Sequence, residues 1–156
     1  NASMASAKYS NKKILELKSN AEFKCLITDA RMLQNYINKV PEAALSIIDI
    51  TDKPTTIIYE EGKNIVSEVI KNNEGVAIRI PDDDFCFFLS RKLNEAIAIT
   101  SANLENNSSS KSYKEISPEV LKGVDYVVNL HHEKIFTKPP SIIKLKNNGE
   151  VKIIRA

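Results

Sequence analysis

Three groups of residues in this 156-residue chain have types and spacings that suit chemistry. The first is Thr100-Ser101-Ala102-Asn103. A hydroxyl and a carboxamide two residues apart offer donors and an acceptor, enough to orient a phosphate or a ribose. The tetrapeptide ends an apolar run, Ala96 to Thr100, read as a buried strand, and ligands of open α/β sheets bind beyond the carboxyl ends of strands. Ser, Thr and Asn also end strands because they favour turns, so a purely structural reading stands beside the functional one. The second is Arg79, which interrupts Val76-Ala77-Ile78-Arg79-Ile80. It must face solvent or find a partner, because an unpaired buried charge is costly, and its planar fork suits a carboxylate or phosphate. The third is the spread of lysines. Lys8, Lys12, Lys13, Lys18 and Lys24 cluster near the start; Lys134, Lys138, Lys144, Lys146, Lys152 and Arg155 cluster near the end. Asp49, Asp52, Glu60, Glu61 and Asp82–Asp84 hold the opposite sign in the middle, so a chain of net charge +2 can still present a basic face. Such a face attracts phosphates in a salt-dependent way, although solubilising lysines give the same pattern.

The remaining candidates have simpler readings. His131-His132 are adjacent and would point apart, a poor metal pair, and no metal site is expected. Cys25 and Cys86 sit in apolar patterns and read as packing residues. Asp82-Asp83-Asp84 is explained by helix capping, and Phe85, Phe87 and Phe88 by a core or helix face. Four glycines are too few for a Gly-rich phosphate loop. The polar stretch Glu105–Ser110 directly after the tetrapeptide reads as a surface loop or a lid.

These residues need a scaffold, and the patterning supplies one. With 42% hydrophobic and 27% charged residues the chain can build one sizeable core, and a single domain is expected over 1–156, with Asn1-Ala2-Ser3 read as a tag remnant. Apolar runs are too short to cross a bilayer. Two cysteines and no visible secretory pattern make a reducing cytoplasm the expected location. Strands are expected at 23–28, 55–59, 76–80, 96–100, 124–128, 141–145 and 151–154. Helices are expected at 30–38, from Pro41 through Ile48, at 63–71, from the aspartates to about Lys92, and from Pro118 to Gly123 behind a Ser117 cap. Asn147-Asn148-Gly149 signals a hairpin. The alternation predicts an α/β fold: a twisted open mixed sheet with flanking helices and an antiparallel terminal edge.

The order of the pieces resembles the YrdC/YciO family, whose best-known members are threonylcarbamoyl-AMP synthases. Lys53-Pro54-Thr55-Thr56-Ile57-Ile58 is similar to the family's Pro-Gly-Pro-x-Thr-Leu-Ile strand, and Val76–Pro81 to its Val-Arg-x-Pro strand. Ala98–Leu104 is similar to its Ser-Thr-Ser-Ala-Asn motif, and 123–155 follows its closing order. The resemblance implies a YrdC-like fold with a concave basic face. It implies joining of L-threonine, bicarbonate and ATP, with Mg2+, into threonylcarbamoyl-AMP and pyrophosphate for tRNA modification, and binding of double-stranded RNA. By carry-over, Lys18, Ser101, Asn103 and Thr56 would bind nucleotide, and Arg79 with Thr100 would line a threonine/phosphate pocket. The resemblance assigns no residue here to the chemical step itself.

The departures are specific. The family's N-terminal Pro-Thr-(Asp/Glu)-Thr-x-Tyr-Gly strand has no counterpart, Asn20 stands where an Arg is expected, Cys25 replaces a Pro, and Ile99 replaces the first Ser of the motif. Glu105-Asn106 replaces Ser-Gly. Three readings follow. One is a divergent domain that binds nucleotide or RNA with weakened catalysis. Another is an active synthase seen as an incomplete chain. The third is a non-catalytic interaction module.

Overall fold

The computed structural model describes residues 12–16, 18–19, 21–51, 54–70, 75–104, 110–136 and 139–156. Their contacts gather into two compact units. One joins the residues before Phe23 to Thr100–Pro139; the other comprises Phe23–Ile99 and Pro140–Ala156.

The second unit is an open six-stranded mixed sheet with flanking helices. Its strands are β1 (Lys24–Leu26), β2 (Thr55–Tyr59), β3 (Val76–Arg79), β4 (Ile97–Ile99), β5 (Ser141–Leu145) and β6 (Val151–Arg155), in spatial order β4-β1-β3-β2-β5-β6. β1 runs parallel to β3 and β2 parallel to β5; the other pairs are antiparallel. β-branched residues dominate β2, which suits a pleated central strand. Gly75 leads into β3 at φ 102°, and a Cβ there would collide with the Tyr59 carbonyl, so only glycine fits. Helices α1 (Leu33–Tyr36), α2 (Glu42–Ile50) and α3 (Asp84–Leu93) belong to this unit. Asp83 caps α3 by accepting from the Cys86 N–H at 2.9 Å, and Asn94 closes it in the left-handed region.

The register assigns side chains to faces. Ile57 lies opposite Ile78, which pairs with Cys25, and all three are buried with Tyr59, Val76 and Leu145. Thr56 lies opposite Arg79 on the other face. Lys24, Lys144 and Lys152 share that face with Arg79, because alternation and pairing put them in phase.

The first unit contains a helical segment at 12–16 and α4 (Pro118–Gly123), whose Ser117 hydroxyl accepts from the Glu119 N–H at 3.2 Å.

Four expectations are corrected. The helix expected at 63–71 is only a 3-10 turn, Ser67–Val69. Asn64 is left-handed, the Lys63 N–H is taken by the Tyr36 carbonyl, and Asn64 Nδ2 binds the Asn35 carbonyl, so this stretch is tied to a neighbouring segment. Val66 and Val69 are buried nonetheless; position 71 lies outside the described residues. No strand forms at 124–128, where the backbone finds no ladder partner among the described residues and Val124, Tyr126 and Val128 are exposed. β4 is half-buried rather than buried, because it is an edge with β1 as its one neighbour. Phe85 and Phe88 face outward: at 100° per residue, Ser90, Cys86 and Phe87 take the inner side of α3.

Candidate functional site

In the first unit, the chain leaves β4 at Ile99 and passes directly into Thr100-Ser101-Ala102-Asn103. Lys18 follows the helical segment at 12–16: its N–H donates to the Ile14 carbonyl at 2.9 Å, and its own carbonyl accepts from Ala21 at 3.1 Å. This turn aims the ammonium at the tetrapeptide. Nζ donates to Ser101 Oγ at 3.0 Å and to Asn103 Oδ1 at 3.0 Å, across 83 and 85 residues of sequence. An ammonium has three N–H donors, so the third remains without a protein partner among the described residues. Asn103 Nδ2 donates to the Leu104 carbonyl at 3.2 Å, which fixes the amide so that its oxygen faces Lys18. Ser110 Oγ donates to the Ala102 carbonyl at 3.2 Å and braces the backbone of the motif. Thr100 Oγ1 is buried with no hydrogen-bond partner among the described residues. The lid candidate, 105–109, lies outside the described residues.

In the second unit, Arg79 donates from Nε (3.0 Å) and Nη2 (2.8 Å) to Thr56 Oγ1. The hydroxyl is fully buried and the guanidinium half-buried. Burial pushes the Arg79 pKa below its ordinary value, offset in part by the field of Asp82, with Arg155 adding to the depression. Among the described residues no carboxylate lies within ion-pair distance of Arg79. A guanidinium held by a neutral acceptor keeps its charge available for an anion.

The six residues singled out in the sequence therefore fall into two groups. Lys18, Ser101 and Asn103 are joined by hydrogen bonds beside Thr100; Thr56 and Arg79 are joined across β2 and β3. Sequence reasoning missed the Thr56–Arg79 pair, because cross-strand register is not written in either strand. It also missed that Lys24, Arg79, Lys144 and Lys152 share a sheet face; the alternation of charged and apolar residues in each strand was the only signal. Elsewhere, Tyr113 stacks on His132 with centroids 3.7 Å apart, and His132 Nε2 lies 2.9 Å from the Val128 carbonyl. Among the described residues no group of three or more metal-ligating side chains assembles.

A protein-family model described as telomere recombination, Sua5/YciO/YrdC, matches residues 2–156. The chain belongs to this family. It is 33% identical over 136 residues to a Methanocaldococcus jannaschii protein assigned as a threonylcarbamoyl-AMP synthase, covering 86% of this chain and 62% of the relative. It is 30% identical over 131 residues to the human threonylcarbamoyl-AMP synthase, covering 80% of this chain and 46% of that protein. Among solved structures, a double-alanine variant of P. abyssi Sua5 superposes with a TM-score of 0.74 at 20% identity, over 89% of this chain and 44% of that one. The chain thus spans between about half and three-fifths of the length of these curated relatives. It is a YrdC-type domain related to the threonylcarbamoyl-AMP synthases, with the mixed sheet and flanking helices expected of it.

Proposed function

We propose that this chain is a nucleotide-binding domain of threonylcarbamoyl-AMP synthesis for tRNA modification, with Lys18, Ser101 and Asn103 holding the phosphates of ATP. The observation that carries this reading is the Lys18 ammonium bonded at once to Ser101 and Asn103. A cation with one donor unmatched among the described residues, flanked by a hydroxyl and an amide, suits phosphate oxygens. Mg2+ would arrive on the ATP phosphates, since these donors are cationic or neutral.

In the proposed reaction the threonine amine adds to bicarbonate with loss of water. A carbamate oxygen then attacks the α-phosphorus, and pyrophosphate leaves. The protein's work is positioning and charge neutralisation. Thr100, whose hydroxyl finds no partner among the described residues, would serve the phosphates beside Ser101 and Asn103; Arg79, oriented by Thr56, would offer a carboxylate or phosphate a charge on its own sheet. Catalysis is weakened here, because Asn20, which lies outside the described residues, stands where the family has a second phosphate cation. The test is threonine-dependent pyrophosphate release beside an ATP titration. We expect ATP binding with slow release, and faster release in Asn20→Arg. ATP affinity that is absent, or unchanged in Asn103→Ala, would overturn the assignment.

RNA binding is a second reading, favoured by Lys24, Arg79, Lys144 and Lys152 on one sheet face. Affinity for double-stranded RNA should fall steeply with added salt, and a flat response would remove it.

A further inference from the structure

Within the second unit, a cavity of about 200 Å3 opens between α2 and the apolar face of the sheet. It lies on the side opposite the Thr56–Arg79 pair, because Ile57 and Ile78 line it and alternate with those two residues along β2 and β3. Its mouth is at exposed Thr51 and Asp82. Its deep end is at Leu33, Ile57, Tyr59 and Ile78, all buried. Ile47 and Ile48 of α2 form the facing wall and are only half-buried, so helix and sheet leave the gap unfilled. We propose that this cavity binds a small uncharged organic molecule, an apolar body about the size of one ring that bears a single hydrogen-bond acceptor for the Tyr59 hydroxyl. This does not rest on the nucleotide reading.

Polarity, size and charge set that class. Tyr59 is 2% exposed, and among the described residues its hydroxyl has no hydrogen-bond partner; burial alone raises its pKa. The hydroxyl is not sealed in protein either, since among the described residues Thr100 Oγ1 is the one sealed side-chain atom left unpaired. The open space it meets is the cavity that Tyr59 lines. A water there would find one polar partner at the apolar deep end, fewer than the two to four that hold a buried water. An organic acceptor carried on an apolar body satisfies the hydroxyl and fills the gap together. Apolar cavities of about 150 Å3 hold one benzene ring, so this one takes a ring with a short substituent and is too small for a nucleotide. Asp82 is the one charged residue of the lining, which disfavours carboxylates and phosphates. A cation gains little there, because Asp82 faces water and already lies in the field of Arg79.

The experiment titrates benzyl alcohol, toluene and benzoate into the full chain and reads the methyl NMR signals of its leucines and isoleucines. Circular dichroism confirms the fold of each variant. Benzyl alcohol should bind saturably with a Kd of about 0.1–5 mM, as suits so few atoms, and shift the Ile47, Ile57 and Ile78 methyls. Benzoate should bind at least about tenfold more weakly. Tyr59→Phe should weaken benzyl alcohol about three- to tenfold and leave toluene within about twofold. Ile47→Phe, which fills the gap from a half-buried helix position, should weaken both at least about tenfold, with Ile48→Phe in its place should the first not fold. No saturable shift of the lining methyls with benzyl alcohol or toluene would overturn the proposal. Binding indifferent to the filling variant would place the ligand elsewhere and overturn it equally. Benzyl alcohol bound as well by Tyr59→Phe as by the parent, or benzoate bound as well as benzyl alcohol, would overturn the assigned class.

Discussion

The Lys18–Ser101–Asn103 cluster and the Thr56–Arg79 pair are built in opposite ways. The pair stands on adjacent strands at one register position, so the ladder that makes the sheet also sets the two side chains face to face. Its hydroxyl is fully buried and its guanidinium is partly desolvated. The cluster stands on turns: Ser101 is exposed, Asn103 half-buried, and the three are held by hydrogen bonds between side chains rather than by a backbone ladder. A charge oriented by a sheet is costly to disturb and contributes to stability. A charge oriented by a turn is cheap to disturb and free to respond to a ligand. One chain thus carries a rigidly held cation and an adaptable one.

Four experiments sharpen or break this contrast. The largest effect expected is in the cluster: Lys18→Ala should weaken ATP binding about 10- to 100-fold, as loss of charge-assisted hydrogen bonds does. Its unfolding free energy should change by less than about 0.5 kcal/mol. Calorimetric titration beside urea denaturation separates the two, and a large stability loss would erase the contrast. Thr56→Val should do the reverse. It strips both Arg79 donors of their acceptor, and the urea midpoint should report about 1–2 kcal/mol of lost stability.

The third experiment uses pH on the sealed face. Burial pushes the Cys25 thiol up to about 12 and the half-buried Cys86 up to about 11, from an ordinary 9.0. The folded chain therefore holds thiol protons that the unfolded chain releases. Stability should be undiminished below about pH 9 and fall as pH rises toward 12, with Tyr59 adding to the fall through its raised pKa. Cys25→Ala should flatten part of this slope in urea titrations between pH 8 and 11. The smallest effect belongs to the exposed Lys146–Glu150 pair at the β5–β6 hairpin, 2.8 Å apart. Glu150→Gln should leave the melting temperature within error of the parent.

Much of this was legible in the chain. Thr55–Tyr59 reads as a strand because branched residues fit the pleat, and it is β2 to the residue. Pro118 behind Ser117 and Gly149 in its hairpin are local signals with local causes, and both hold. The segments at 63–71 and 124–128 carry apolar residues at plausible spacings, but spacing does not tell whether a neighbour supplies a ladder. At 63–66 Tyr36 and Asn35 take hydrogen-bonding groups that a helix would have used or left facing solvent, and at 124–128 no strand comes alongside among the described residues. Of the candidate site, Ser101 and Asn103 stand out by residue type and Lys18 through the family resemblance, while the bonds that join them span more than 80 residues.

By itself the sequence determined what depends on near neighbours: most of the strands and turns, the caps, and the family motifs in their order. Those follow from sterics and hydrogen bonds within a few residues. Only the tertiary structure decided the strand order, the pairing of Thr56 with Arg79, the convergence of Lys18 on Ser101 and Asn103, and which face of α3 stays wet. Each of these is a contact between residues distant along the chain. Such contacts are chosen by the burial and hydrogen bonding of the whole fold, and no local pattern encodes them.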